Sequence, residues 1–258
     1  MPVALISRAV SVAIVAVSAH LDDAALSASA ALADAAATVV TVFAGPPPEG
    51  LALSPWDRFT GAASSAGRIL DRRAEDEAAM RLLRARPVHL IEPEIQYRET
   101  TPDLSDAAGE LAGIFRAADL VWLPAAIGGH LDHVLARDAG LRAAAMAGHA
   151  EVVLYADFPY VIAFGWPAAA TGRRADAYLD VDYWLARELT KAGLDPSGMT
   201  LSVTRLSPAQ RDAKAALIAA YRSQAAALRL APADLAAEPA KLDYELSWRL
   251  PLPGSPPG

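Results

Sequence analysis

The sequence predicts an α/β fold: a Rossmann-like, mostly parallel sheet with helices on both faces and a small C-terminal mixed α+β portion. Three observations carry this. Short apolar runs of branched and small residues recur through the first 155 positions, and such runs suit strands buried on both faces of a parallel sheet. Ala-rich or amphipathic segments of helical length alternate with them, the pattern that layers helices on a sheet. Beyond Gly165 the character changes, with Trp166, Tyr178, Tyr183 and Trp184 set among charges. One domain over 1–258 is expected. Its core covers 1–150, a smaller portion 151–250, and a frayed Pro/Gly/Ser-rich tail 251–258.

Taken in order, residues 12–17 (Val-Ala-Ile-Val-Ala-Val) read as the first strand and the Ala-rich stretch 24–36 as the first helix. Residues 38–43 read as a second strand. A long connection from Gly45 to about Arg68 follows, holding Trp56, Arg58 and glycines at 50, 61 and 67. Its length and its place after a strand end suggest a substrate lid. Residues 71–86 read as an amphipathic helix. Leu70, Ala74, Ala78 or Met80, and Leu82 mark its apolar face, and Arg72, Arg73, Glu75, Asp76 and Glu77 its solvated one. Then come a strand at 88–91, a helix at 103–118, a strand at 120–123, a turn at Pro124 and Gly128-Gly129, and a helix at 135–147. Residues 151–155 read as a further strand, with 177–181 and 200–206 strand-like. Ser207 and Pro208 suit the N-cap and first position of a last helix running to about Leu228.

Composition narrows the function. The 258 residues are 53% hydrophobic, with 23 basic and 30 acidic side chains and a net charge of -7. That is ample for a core, and no basic tract of five or more residues invites nucleic acid. The absence of cysteine excludes disulfides and thiolate metal sites. The apolar start, residues 1–17, lacks the basic lead of a signal peptide, and cleavage near Ala19 would remove the strand that presents His20. A cytoplasmic chain with no membrane partner is expected; the oligomeric state is not legible.

Two polar clusters follow probable strand ends, where open α/β sheets bind ligands. His20, Asp22 and Asp23 follow the first strand; His130, Asp132 and His133 follow the strand at 120–123. Three of the five histidines fall in these clusters. Imidazole and carboxylate suit zinc, which takes nitrogen and oxygen ligands at ~2.0–2.2 Å and keeps one position open in catalytic sites. Adjacent carboxylates allow one to hold the metal while the other handles a proton. Spacing leaves open whether His130 or His133 is the third ligand. No Gly-x-Gly-x-x-Gly follows a strand, and no Gly-x-Ser-x-Gly surrounds Ser18 or Ser27.

His20-Leu-Asp-Asp-Ala24 paired with His130-Leu-Asp-His133 resembles the LmbE-like, PIG-L type family of zinc-dependent de-N-acetylases. The usual first motif, Ala-His-Pro-Asp-Asp-Glu, carries Leu21 for Pro and Ala24 for Glu here. The resemblance implies that His20, Asp23 and His133 hold Zn²⁺ or another divalent ion. It implies Asp22 as general base, His130 as oxyanion donor and Asp132 as an orienting carboxylate. Arg72 with Glu75 matches an Arg-x-x-Glu whose Arg reaches the sugar, and Asp157 and Tyr160 match an acidic-Pro-Tyr segment near the substrate. Lys214, Tyr221, Ser223 and Gln224 resemble the family's C-terminal helix, and Tyr244-Glu-x-x-Trp248 its closing element. The implied activity is removal of an N-acetyl or other N-acyl group from an amino sugar or glycoconjugate. The alternatives are an amidase on a non-sugar acylated metabolite and a metal-holding, catalytically weak sugar-conjugate binder.

Overall fold

The computed structural model describes residues 12–164, 168–172 and 181–253. The chain runs β1 (Ala13–Ser18), α1 (Asp23–Ser27), α2 (Ser29–Ala33), β2 (Ala36–Thr41), α3 (Pro55–Phe59), α4 (Ser65–Leu83) and β3 (Arg86–His89). It continues α5 (Ser105–Phe115), β4 (Leu120–Pro124), α6 (Leu131–Ala147), β5 (Glu151–Tyr155), α7 (Tyr160–Phe164), α8 (Ala168–Thr171) and α9 (Val181–Lys191). It closes β6 (Thr200–Arg205), α10 (Pro208–Ala220), α11 (Arg222–Ala225), α12 (Pro232–Ala237) and β7 (Tyr244–Pro251).

The strands form one sheet in the order β3-β2-β1-β4-β5-β7-β6. The first five are parallel; β7 runs antiparallel to β5, and β6 antiparallel to β7. The strands of the C-terminal portion thus extend the same sheet at one edge. Strand order reverses between β1 and β4, which pair directly with Ala16 opposite Trp122. At such a reversal the connections leave to opposite sides and a crevice opens beyond the strand ends.

The period-2 pleat divides β1 between two apolar layers. Val15 and Val17 face a cluster built from α5, α6 and α9, including Leu111, Phe115, Ala136 and Leu185. Ile14 and Ala16 face the cluster of α1, α2, α4 and α10, including Leu26, Leu32, Met80 and Leu217. Helix α6 lies so close to the sheet that a Cβ on Gly140 would meet Leu123 Cδ2 at 2.4 Å. A glycine is what lets that helix approach.

Several elements differ from the sequence reading. The first helix breaks at Ala28 (φ −131°, ψ 30°), where Glu245 accepts from the Ser29 and Ala30 N–H groups. The connection after β2 contains α3, capped by the Ser54 hydroxyl. Helix α4 begins at Ser65 instead of 71, and its buried face takes in Met80, as read, but also three of the charges read as solvated. Leu70 and Leu82 are 66% and 59% exposed while Arg72, Glu75 and Asp76 are buried. Those charges face polar partners from distant segments. Arg72 pairs with Glu94, Glu75 accepts from Ser223, and Asp76 holds His89 and Tyr221. Helix α6 begins at Leu131 instead of 135. The last helix stops at Ala220, with α11 as a separate turn. Of the strand expected at 177–181, residues 177–180 lie outside the described residues, as do Trp166 and positions 254–258 of the tail, and Val181 opens α9.

Candidate active site

The first cluster is shaped by the end of β1. Ser18 Oγ donates to the His20 carbonyl at 2.6 Å and accepts from the Ala24 N–H at 3.0 Å. Asp23 Oδ2 accepts from the His20 N–H at 2.7 Å. These bonds fold residues 18–24 into a tight turn at the helix entry. Leu21, where the family has Pro, packs with Ala44 and Ile69. Ala24, where it has Glu, is wholly buried in the apolar layer, so a carboxylate there would be stranded in the core.

The second cluster opens α6. Gly128 and Gly129 take φ of 90° and 70°, left-handed backbone that glycine adopts without strain. They turn the chain from β4 so that His130 caps the helix, its Nδ1 accepting from the Asp132 N–H at 3.3 Å. His133 therefore sits in the first helical turn.

The two clusters meet beyond β1 and β4. Asp23 Oδ2 lies 3.2 Å from His20 Nδ1 and 3.3 Å from His133 Nε2. The imidazoles of His20, His130 and His133 stand 5.0 to 5.2 Å apart by ring centre. One nitrogen of each lies within 4.8 Å of the others. The other ring nitrogens of the outer pair are fixed by carboxylates: His20 Nε2 meets Asp132 Oδ2 at 3.0 Å, and His133 Nδ1 meets Asp157 Oδ1 at 2.6 Å. His133 Nε2 is buried and makes no hydrogen bond. A carboxylate accepts only. Each ring in its neutral form thus gives its proton to the outer carboxylate and turns a bare lone pair toward Asp23. Lone pairs converging in a buried space fit a cation between them, so the residues present suit a divalent metal.

Within the chain alone, these groups shift one another's protonation. Burial pushes Asp23 up, but His133 and His20 outweigh it and hold the carboxyl far below its usual range. Burial, then the Asp23 charge, push Asp22 up to about 6, against the pull of Arg72. Burial would lower His20, yet its hydrogen bonds to Asp132 and Asp23 raise it well above its usual value. His133 is raised in the same way by Asp23 and Asp157. His130 has no such carboxylate contact; burial and the two neighbouring histidines press it down to about 4.

A cavity of about 290 Å³ opens over this group. His20, Asp22, Asp23 and His130 line it, together with Trp56, Gln224 and Leu228. Arg72, Glu94, Ile95, Gln96, Pro159 and Tyr160 complete it. Trp56 Nε1 donates to Gln224 Oε1 at 2.9 Å, which ties the connection after β2 to α11. Arg72 lines the cavity while paired with Glu94 and lying 3.6 Å from Asp22 Oδ1. Tyr160 stands 5.3 Å from the His133 ring. Asp157, expected against substrate, is corrected by the geometry. It is fully buried, and both its oxygens are taken by His133 Nδ1 and the Ile127 N–H. Asp132 is also fully buried, accepting from Ile95 N–H and Arg98 besides its contact with His20.

Sequence reasoning missed Glu94, Gln96 and Arg98. They lie in the polar stretch after β3, and the rule that singled out the ends of β1 and β4 applied there as well. Trp56 was noted only as part of a long connection, and Gln224 only as part of a resemblance.

The profile of the PIG-L family, described as GlcNAc-PI de-N-acetylase, matches residues 15–144. Among solved structures, the deacetylase Dbv21 of the antimicrobial A40926 pseudoaglycone is 27% identical, with a TM-score of 0.67 over 93% of this chain and 97% of that one. A zinc-inhibited form of the teicoplanin deacetylase Orf2 is 26% identical, with a TM-score of 0.66 over 94% of this chain and 100% of that one. The hydratase of 4-carboxy-2-hydroxymuconate from Pseudomonas putida KT2440 is 18% identical, with a TM-score of 0.53 over 93% of this chain and 95% of that one; it is alike in fold alone. No curated protein matches the chain in sequence.

Proposed function

The chain belongs to the PIG-L family of de-N-acetylases, and we propose that it hydrolyses the N-acetyl, or a related N-acyl, group of an amino sugar or glycoconjugate. The observation that carries this reading is the convergence of His20 Nδ1, Asp23 Oδ2 and the unpartnered His133 Nε2 beneath one cavity. These three atoms would hold the metal, zinc or another divalent ion. Such an ion supplies Lewis acidity and lowers the pKa of water toward ~7.

The chain's own residues do the rest. Asp22 lines the cavity beside the ligand Asp23 and takes the proton of the attacking water. As the C–N bond breaks, it returns that proton to the departing amine, leaving carboxylate and free amine. His130 accepts at Nδ1 from the Asp132 N–H, so its neutral ring carries the proton on Nε2. That ring donates to the oxygen of the tetrahedral carbon and is a poor third ligand. Asp132 and Asp157 fix the His20 and His133 rings from behind. Arg72 steadies Asp22, and Arg72 and Tyr160 meet the sugar from the cavity wall.

The test is release of amine from N-acetylglucosaminides by chain stripped with chelator and then titrated with zinc and other divalent ions. The zinc-inhibited form of the teicoplanin deacetylase makes zinc excess one arm of that titration. Activity that returns with about one equivalent of ion, and an Asp22→Asn variant that keeps its metal but loses ~10²–10⁴-fold in rate, are expected. Activity indifferent to chelation, or full activity in Asp22→Asn, overturns the mechanism.

A further inference from the structure

The segment after β3 holds a side chain that touches neither the cavity nor the three atoms proposed to hold the metal, yet acts on them through one intermediary. Arg98 is buried, its side chain 8% exposed. Its Nη1 donates to the Pro93 carbonyl at 2.7 Å, its Nη2 donates to Asp132 Oδ1, and its guanidinium lies over the Phe43 ring, 4.8 Å from the centroid. The same Phe43 ring stands 6.3 Å from the His20 imidazole. Asp132 has no exposure at all, and Oδ1 accepts from nothing but Arg98 among the described contacts. Its Oδ2 is shared between the Ile95 N–H at 2.9 Å and His20 Nε2 at 3.0 Å.

A carboxylate with no exposure is costly unless compensated by charge and hydrogen bonds. Asp132 accepts at Oδ2 from His20 Nε2 and so leaves Nδ1 turned toward Asp23. Without Arg98 on Oδ1, the carboxylate is free to swing toward other donors, and the His20 ring loses the partner that orients it.

We propose that Arg98 is a positioning residue for the metal centre: through Asp132 it fixes which nitrogen of His20 faces the metal, and so sets the affinity for the ion. Residue 98 thereby does for the histidine after β1 what no cation among the described residues does for His133, whose carboxylate Asp157 is held by the Ile127 N–H. The proposal rests on the metal reading given above.

The experiment compares the parent chain with Arg98→Met and Arg98→Lys. Zinc affinity is measured by competition with a chromogenic chelator, and thermal unfolding of the same samples is recorded. Arg98→Met is expected to bind zinc ~10–100-fold more weakly, the range for lost outer partners of metal ligands. Arg98→Lys, which restores a cation beside Asp132, is expected to return most of that loss even where both variants unfold at the same lowered temperature. A purely structural Arg98 would lower the unfolding temperature and leave zinc affinity untouched, and that result overturns the proposal. A second measurement needs no Arg98 variant: long-range ¹H–¹⁵N spectra of the zinc-loaded parent, with His20 assigned through His20→Gln. The proton is expected on Nε2; a proton on Nδ1, with Nε2 facing the ion, overturns it. A parent chain that takes up no zinc sinks the metal reading and this inference together, whereas equal zinc affinity in parent and Arg98→Met sinks only the inference.

Discussion

His130 and His133 stand three residues apart on one turn, and their surroundings separate them. His133 is buried, gives Nδ1 to Asp157 and leaves Nε2 facing Asp23. His130 is half-buried at the cap, with Nδ1 turned back on its own helix. The variants His133→Ala and His130→Ala should therefore fail differently. The first is expected to lose its metal, read by plasma mass spectrometry on the purified chain. The second is expected to keep the metal while kcat falls ~10²–10³-fold, the loss typical of one oxyanion donor. A metal-free His130→Ala beside a metal-replete His133→Ala would exchange the two roles. His20, Asp22, Asp23 and the pair His130 and His133 stood out because short polar motifs after apolar runs are local signals, while the choice between the two histidines did not. Asp157 was not read correctly, since whether a carboxylate faces substrate or the back of a histidine depends on how α6 and β5 are packed.

At the scale of elements, what was legible followed periodicity, and what was missed did not. The parallel strands and most helices appear as apolar runs and alternations. The buried face of α4 does not, because its partners are Glu94, Ser223, His89 and Tyr221, which no count along the helix can see. An apolar-face rule placed Met80 correctly but also assigned Leu70 and Leu82 to the interior, where long-range ion pairs and hydrogen bonds bury Arg72, Glu75 and Asp76 instead. Close packing of α6 on β4 is a second feature of this scale. Gly140→Val would drive a branched side chain into Leu123, which is itself wholly buried. Overpacking of this kind costs about 1–3 kcal/mol. A drop of that size in urea unfolding at unchanged slope is expected; a variant as stable as the parent would mean that the helix has room to retreat.

At the scale of the whole molecule, the chain's late segments secure its early ones. Glu245 on β7 accepts from Ser29 and Ala30 at the break between α1 and α2, and pairs with Lys214 of α10 at 3.0 Å. Lys214 is 1% exposed, with its Nζ 4.5 Å from the centre of the Phe158 ring. Removing one partner of a buried pair strands the other, at about 3–5 kcal/mol. Lys214→Met should lose stability by that amount in denaturant unfolding, with no change in metal content of the folded fraction; a loss under 1 kcal/mol would show that Ser29 and Ala30 suffice to satisfy Glu245. No helix among the described residues is long and apolar enough to cross a membrane.

The sheet order also dictates a timetable. Among the described strands β6 pairs with β7 alone, and β7 fills the place between β5 and β6. During synthesis, β6 therefore emerges with no neighbour, and β5 presents an open edge, until the later strand is made. At ~5–20 residues per second, the stretch from Arg205 to Tyr244 takes roughly 2–8 s. For that interval the nascent chain carries unpaired strand edges on both β5 and β6, the kind of surface on which other chains can dock. Yield in a cell should therefore depend on translation speed through residues 206–243 and on whichever chaperone shields those edges while the ribosome finishes β7.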